Sequence, residues 1–217
     1  MVGVSGGGPH TLALLASYLE SPADKPVLEK VVLVCGVCVS GGTKGMMAAN
    51  RAACQQVRTY ETSLVSRLVL NLIWTIQCFF LPLLPKAIIN RVVASGFEAL
   101  PQVDQAIVNP KLEEIISIGR VGFRQGARGV VADVRRCFGQ QLDSESVLKR
   151  HFGQNGKAIL PEVHIYQGKQ DVNVPFSHAM FMHTEVFQKK SKLHPYDQHG
   201  HLSLIMEEAK TYIEEAA

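Results

Sequence analysis

Two rhythms of apolar residues alternate along this chain. Lys30-Val-Val-Leu-Val-Cys35 is a short, continuous apolar run rich in β-branched residues, as expected of a parallel strand covered on both faces. Glu162-Val-His-Ile-Tyr166 and Lys192-Leu-His-Pro-Tyr196 read as two further strands, and Val2 to Val4 as the tail of another. Between them the apolar positions take helical spacing. Leu12, Leu15, Ala16 and Leu19 predict an amphipathic helix over 9–19, and a short helix over 143–152 is capped by Asp143 or Ser144. A helix from near Pro175 repeats Phe176, Ala179, Met180 and Phe187. The closing helix shows a stripe of Leu202, Ile205, Met206, Ala209 and Ile213. Strand, helix and strand in this order form a βαβ unit, so these parts predict an α/β fold: a short parallel sheet flanked by helices.

The stretch from about 40 to 140 breaks that pattern. It has no strand rhythm, only helical segments interrupted by Gly41-Gly42, Pro82, Pro85, Gly96, Pro101 and Pro110. One crossover needs far fewer residues, so 40–140 is expected to be a large inserted helical cap, or lid, in a core made of 1–39 and 141–217. Its most apolar part, Leu68 to Leu84, is shorter than the ~20 residues that span a bilayer and contains Asn71, Thr75, Gln77 and Pro82. It reads as a lid over a hydrophobic pocket in preference to a surface resting on a membrane. Trp74, Phe79, Phe80 and Phe97 line such a pocket or pack the cap.

Bulk composition narrows the picture only a little. A chain of 217 residues fits one domain with an insertion. A net charge of +3, with no run of Lys and Arg, argues against a nucleic-acid partner. The five scattered cysteines suggest reduced thiols, and the opening residues lack the basic and apolar regions of a secretory signal, so a cytoplasmic setting is expected. Cys35 and Cys38 form a C-x-x-C inside the run Val31 to Val39. On a strand, residues three apart face opposite ways, and no second Cys/His pair at ligand spacing accompanies them, which argues against a metal or redox site.

Chemistry enters at the first ten residues. Gly3-Val4-Ser5-Gly6-Gly7 fits G-x-S-x-G, in which a strand ends abruptly, a serine occupies the apex of a strained turn and a helix begins. Glycines at both flanks would allow the tight angles and close approaches such a turn needs. Pro9 suits the first turn of the following helix. The same residues also fit a plain glycine-rich loop, one that could cradle a phosphate. A serine nucleophile requires a base to take its proton and an acid to hold that base. Asp171 follows the strand ending at Tyr166 and His201 the strand ending at Tyr196, both at the carboxyl edge where Ser5 lies. His201 is preferred to His199, and Asp171 to Asp133, which reads as paired with Arg135, Arg136 or a helix terminus. His10, His178 and His183 read as helix residues, and His164 as a strand residue without a role.

The motifs G-V-S-G-G-G-P-H (3–10), V-L-V-C-G (32–36), Y-Q-G-K-Q-D-V-N-V-P (166–175) and H-G-H-L-S (199–203) make the chain resemble the carboxyl-terminal part of a lid-bearing serine hydrolase of the α/β-hydrolase fold superfamily. The resemblance implies Ser5 as nucleophile, His201 as general base, Asp171 as its orienting acid and Gly6 N–H as an oxyanion donor, with no cofactor and no metal. A serine at the elbow excludes epoxide opening and halide displacement, which relatives carry out with a carboxylate there. It favours acyl transfer from a small hydrophobic ester, thioester or amide to water or another acceptor.

The family's earlier strands and second oxyanion donor have no counterpart here, and Val2 to Val4 would form a sheet edge. Three readings follow: a fragment of a longer protein, a shortened protein without catalysis that binds a hydrophobic ligand or surface, or a chain completed by a homo-oligomeric or complementing partner.

Overall fold

The structure, a computed structural model, describes residues 1–21, 27–80, 83–85, 95–115, 142–154 and 160–216, with positions 88, 91, 117, 132, 135, 137 and 138. It divides into two compact units, Met1–Met46 with Gln140–Ala217, and Met47–Gly139.

The first unit is built on four parallel strands in the order β1 (Val2–Val4), β2 (Lys30–Val34), β3 (Glu162–Gly168) and β4 (Lys192–Tyr196). The register sets Val4 beside Val34 and Val34 beside Tyr166. β1 and β2 therefore end level, β3 and β4 run on to Gly168 and Tyr196, and the loops that follow all four strands lie at the same edge of the sheet. β2 and β3 are covered on both faces, which explains their unbroken burial. Val31, Leu33, Val163 and Ile165 point to one side, where Leu12, Leu15 and Ala16 of α1 (Gly7–Glu20) meet Leu148 and Phe152 of α5 (Leu142–Gly153). Ala179 of α6 (Phe176–Phe181) closes that side with Met182, Val186 and Phe187, and Phe152 meets Phe187 edge to face at 5.0 Å. Val32, Val34, Cys35 and Tyr166 point to the other side, against Leu204 of α7 (His201–Glu207) and Tyr212 of α8 (Ala209–Ala216).

Three sequence expectations need correction. The run Val31 to Val39 is a strand only as far as Val34, because Cys35 takes a φ of 48° and turns the chain away. The closing helix is two helices broken at Glu208, and its buried face is His201, Ser203, Leu204 and Tyr212, while Met206 and Ile213 are exposed. The helix after Pro175 passes into a π-helical turn, Met182–Val186, with Met182 buried at its start and Met180, ahead of it, exposed.

Residues 39–46 belong to the sheet-bearing unit. Glu145 of α5 accepts a hydrogen bond from Ser40 Oγ at 2.7 Å, and His178 holds Cys38 and Gly42, as described below. In the second unit α2 (Ala48–Thr62) packs on α3 (Leu64–Phe80), with Val57 and Leu70 buried. Ser63 Oγ caps α3 by accepting the Ser66 N–H at 3.0 Å. A further short helix, α4 (Gln102–Val108), begins after Pro101. Among the described residues no helix is long and apolar enough to cross a membrane.

Candidate active site

β1 stops at Val4, and Ser5 adopts a φ of 51°, the left-handed region that side chains other than glycine seldom occupy. The turn is tied down on all sides. Ser5 N–H donates to Val34 O at 2.8 Å, and Ser5 O accepts from Gly8 N–H at 3.0 Å and Val37 N–H at 3.2 Å. With α1 beginning at Gly7, the hydroxyl stands at the junction of strand and helix. The demand for glycine falls differently from the sequence expectation. A Cβ on Gly3 would lie 2.2 Å from Thr11 Oγ1, and one on Gly8 2.9 Å from Gly36 Cα, whereas a Cβ on Gly7 would meet nothing within 4 Å.

Asp171 lies just past β3, and its side chain is fully buried. Its carboxylate accepts four hydrogen bonds, which is how a charge can be kept out of water. Oδ1 takes the N–H groups of Asn173 and Val174, both at 2.8 Å. Oδ2 takes Gln167 Nε2 at 2.9 Å and the His201 ring at 2.7 Å. His201 opens α7, where Ser203 Oγ accepts the Gly200 N–H at 2.8 Å and fixes the entry to the helix. Because His201 Nδ1 faces a carboxylate, it carries the proton, and Nε2 is left as an acceptor. That nitrogen is 2.9 Å from Ser5 Oγ. The structure thus brings Ser5, His201 and Asp171 into one hydrogen-bonded line.

The loops that carry acid and base are fastened together. Lys169 N–H donates to Tyr196 O at 2.9 Å, Gln170 N–H to His199 O at 3.1 Å, and Lys169 Nζ pairs with Asp197 at 2.6 Å. Gly168 is at the crossing point, where a Cβ would sit 2.3 Å from His199 O. His199 itself turns elsewhere, with Nε2 3.3 Å from Glu207 and its ring edge-on to Tyr196. His10 is exposed, His164 stacks on Tyr166 and His194, and His183 Nδ1 bonds Ser191 Oγ at 2.9 Å. Asp133 lies outside the described residues. Gly6 stands between Ser5 and the start of α1, at the helix N-terminus.

Two residues near this line hold it in ways the sequence does not announce. Gln167 spends both amide hydrogens, one on Asp171 Oδ2 and one on Val174 O at 2.8 Å, so it shapes the acid's loop. His178 lies in α6, as a helix residue, with its side chain fully buried. Its Nδ1 accepts the Cys38 N–H at 3.0 Å, and its Nε2 donates to Gly42 O at 2.6 Å, a neutral tautomer with both nitrogens used. Burial lowers its pKa, against the opposing pull of the Gly42 carbonyl and of Asp171. The only sequence signals were the position of Gln167 four residues before the acid and that of His178 after it.

Neither Cys35 nor Cys38 takes part in a disulfide. Burial and the neighbouring Glu145, whose Oε1 lies 3.5 Å from the sulfur, push the Cys38 thiol pKa far up. Cys35 Sγ, an Asp171 oxygen and a His201 nitrogen lie within 4.8 Å of one another, donor types that suit zinc. An ion there would have to displace the bond between His201 and Asp171.

By sequence, the chain matches no family model and no curated protein. By structure it is similar to the α/β-hydrolase enzyme MGS-M2 from a Medee basin deep-sea metagenome library (11% identity, TM-score 0.55) and to a bromoperoxidase from Bacillus anthracis (15%, 0.50). An esterase from Exiguobacterium antarcticum aligns at 15% identity with a TM-score of 0.48. Each comparison covers 99% of this chain but only 62% to 64% of the other, so the chain spans less than two thirds of their length. The four parallel strands and their flanking helices are a partial α/β-hydrolase fold.

Proposed function

Starting from the α/β-hydrolase fold of this chain, we propose that it is a serine hydrolase that cleaves a small ester-like bond through an acyl-enzyme. The observation that carries this reading is the continuous line from Ser5 Oγ through the His201 ring to Asp171, at 2.9 Å and 2.7 Å. His201 Nε2 takes the hydroxyl proton as Ser5 Oγ attacks the carbonyl carbon. Asp171 keeps Nδ1 protonated and steadies the imidazolium. The Gly6 N–H is assigned to the developing oxyanion, as the first amide after the nucleophile. His201 then returns its proton to the leaving alcohol, thiol or amine, and the acyl group stays on Ser5. Water, deprotonated by the same nitrogen, attacks the acyl carbon, and the acid departs with the enzyme restored. An alcohol or amine in place of water would make the outcome acyl transfer.

The apolar composition of the Met47–Gly139 unit supports a hydrophobic acyl or alcohol group, and reduced thiols a cytoplasmic setting. The test is a pre-steady-state assay with nitrophenyl esters. The expected result is a burst of nitrophenol close to one equivalent of protein, larger in rate for longer acyl chains than for acetyl, and absent in Ser5→Ala. A folded parent that releases no nitrophenol above the Ser5→Ala background would overturn the assignment.

A further inference from the structure

Half of α3 is dressed for a solvent other than water. Leu64, Leu68, Leu72, Ile76, Phe79 and Phe80 are each 46% to 71% exposed. At 3.6 residues per turn they span roughly 160° of the helix circumference. Thr75 is the one polar side chain in that arc, and its hydroxyl is turned back onto Asn71 O at 2.7 Å. The opposite side holds the buried Leu70 and rests on α2. A helix seated against a protein core or one partner helix needs a stripe of about 100°. This arc is wider and offers no polar group to set the register of a protein partner.

Charge points the same way. The unit that carries α3, Met47–Gly139, contains eleven Lys and Arg against six Asp and Glu, whereas the whole chain carries only +3. The positive excess of the sequence thus lies in the unit that carries its most apolar helix. Arg67 is exposed and stands about 60° beyond the edge of the apolar arc, at the level a headgroup would occupy if the arc were sunk in acyl chains. Two copies meeting through this face would bring like charges together. At 17 residues the helix is about 25 Å long, too short to span but well suited to lie in the plane of an interface.

We propose that α3 docks this protein on an anionic lipid surface, its apolar arc among the acyl chains and the surrounding arginines at the headgroups. Ser5 plays no part in this, and the docking holds whether or not the chain hydrolyses esters.

The test is flotation of the full chain with vesicles. It should bind vesicles of mixed phosphatidylcholine and phosphatidylglycerol at least about tenfold more tightly than vesicles of phosphatidylcholine alone, and added salt should weaken binding. Leu68→Glu with Leu72→Glu should abolish flotation while helix content and elution volume stay as in the parent. Arg58→Gln and Arg67→Gln, both at exposed positions, should each weaken binding about fivefold and keep the test open if the double glutamate variant does not fold. Failure of the parent to float on either composition, or equal binding to both, overturns the assignment. So does a parent that elutes as a dimer and becomes a monomer in the glutamate variant, since a second copy would then be what covers the face.

Discussion

Asp171 is fully buried and held by four hydrogen bonds, and such a group tolerates little change. In Asp171→Asn an amide replaces one carboxylate oxygen, and its N–H groups would face the donors at His201 Nδ1 or Gln167 Nε2. The expected result is a loss of about 10⁴-fold in the acylation rate of Ser5 with the fold retained, read by burst kinetics and circular dichroism. Gln167→Leu strands two buried acceptors, Asp171 Oδ2 and Val174 O, of one donor each. It should cost about 1–3 kcal/mol of stability in urea unfolding. The glycines around Ser5 are not equivalent. Gly7→Ala should leave stability and activity near the parent, because its Cβ enters open space. Gly8→Ala should destabilise the chain, because its Cβ meets Gly36 Cα at 2.9 Å. A Gly7→Ala variant as damaged as Gly8→Ala would contradict this account of the elbow.

At the scale of elements, α6 is fixed to the 38–42 segment by a neutral histidine, and that bond has a pH dependence of known sign. The folded His178 binds its proton more weakly than the unfolded one, so the unfolded chain takes up protons first as pH falls. Stability from this group is complete above about pH 6.5 and is lost progressively below it. Thermal melts from pH 7.5 to 5 should show that decline, with a shallower slope in His178→Gln. Some elements were legible in the sequence and some were not, for identifiable reasons. β2 and β3 announce themselves through β-branched runs, and α1 through Leu12, Leu15 and Ala16, because local periodicity decides their burial. The phase of the last helices was not legible, since it is set by His201, Ser203 and Leu204 turning toward the sheet and then by the break at Glu208. The clamp made by His178 joins residues more than a hundred positions apart, and no local pattern encodes it. The line of Ser5, Asp171 and His201 was legible as three loop positions after three strands. Their distances depend on the register, which sets the ends of β1 and β2 side by side and carries β3 and β4 past them at the same edge.

For the molecule as a whole, β1 is the element that carries the nucleophile and is also an edge, paired among the described residues with β2 alone. Hydrogen bonds from Ser5 N–H to Val34 O and from Val37 N–H to Ser5 O hold the turn to its neighbour, so the geometry at Ser5 depends on that single pairing. Whether this sheet supports chemistry can be read in one measurement, the intact mass of the chain after exposure to a fluorophosphonate. The account predicts a single adduct that maps to the peptide containing Ser5, absent in Ser5→Ala and formed far more slowly in His201→Ala. A demonstrably folded parent that gains no adduct, or one whose adduct persists in Ser5→Ala, would contradict it.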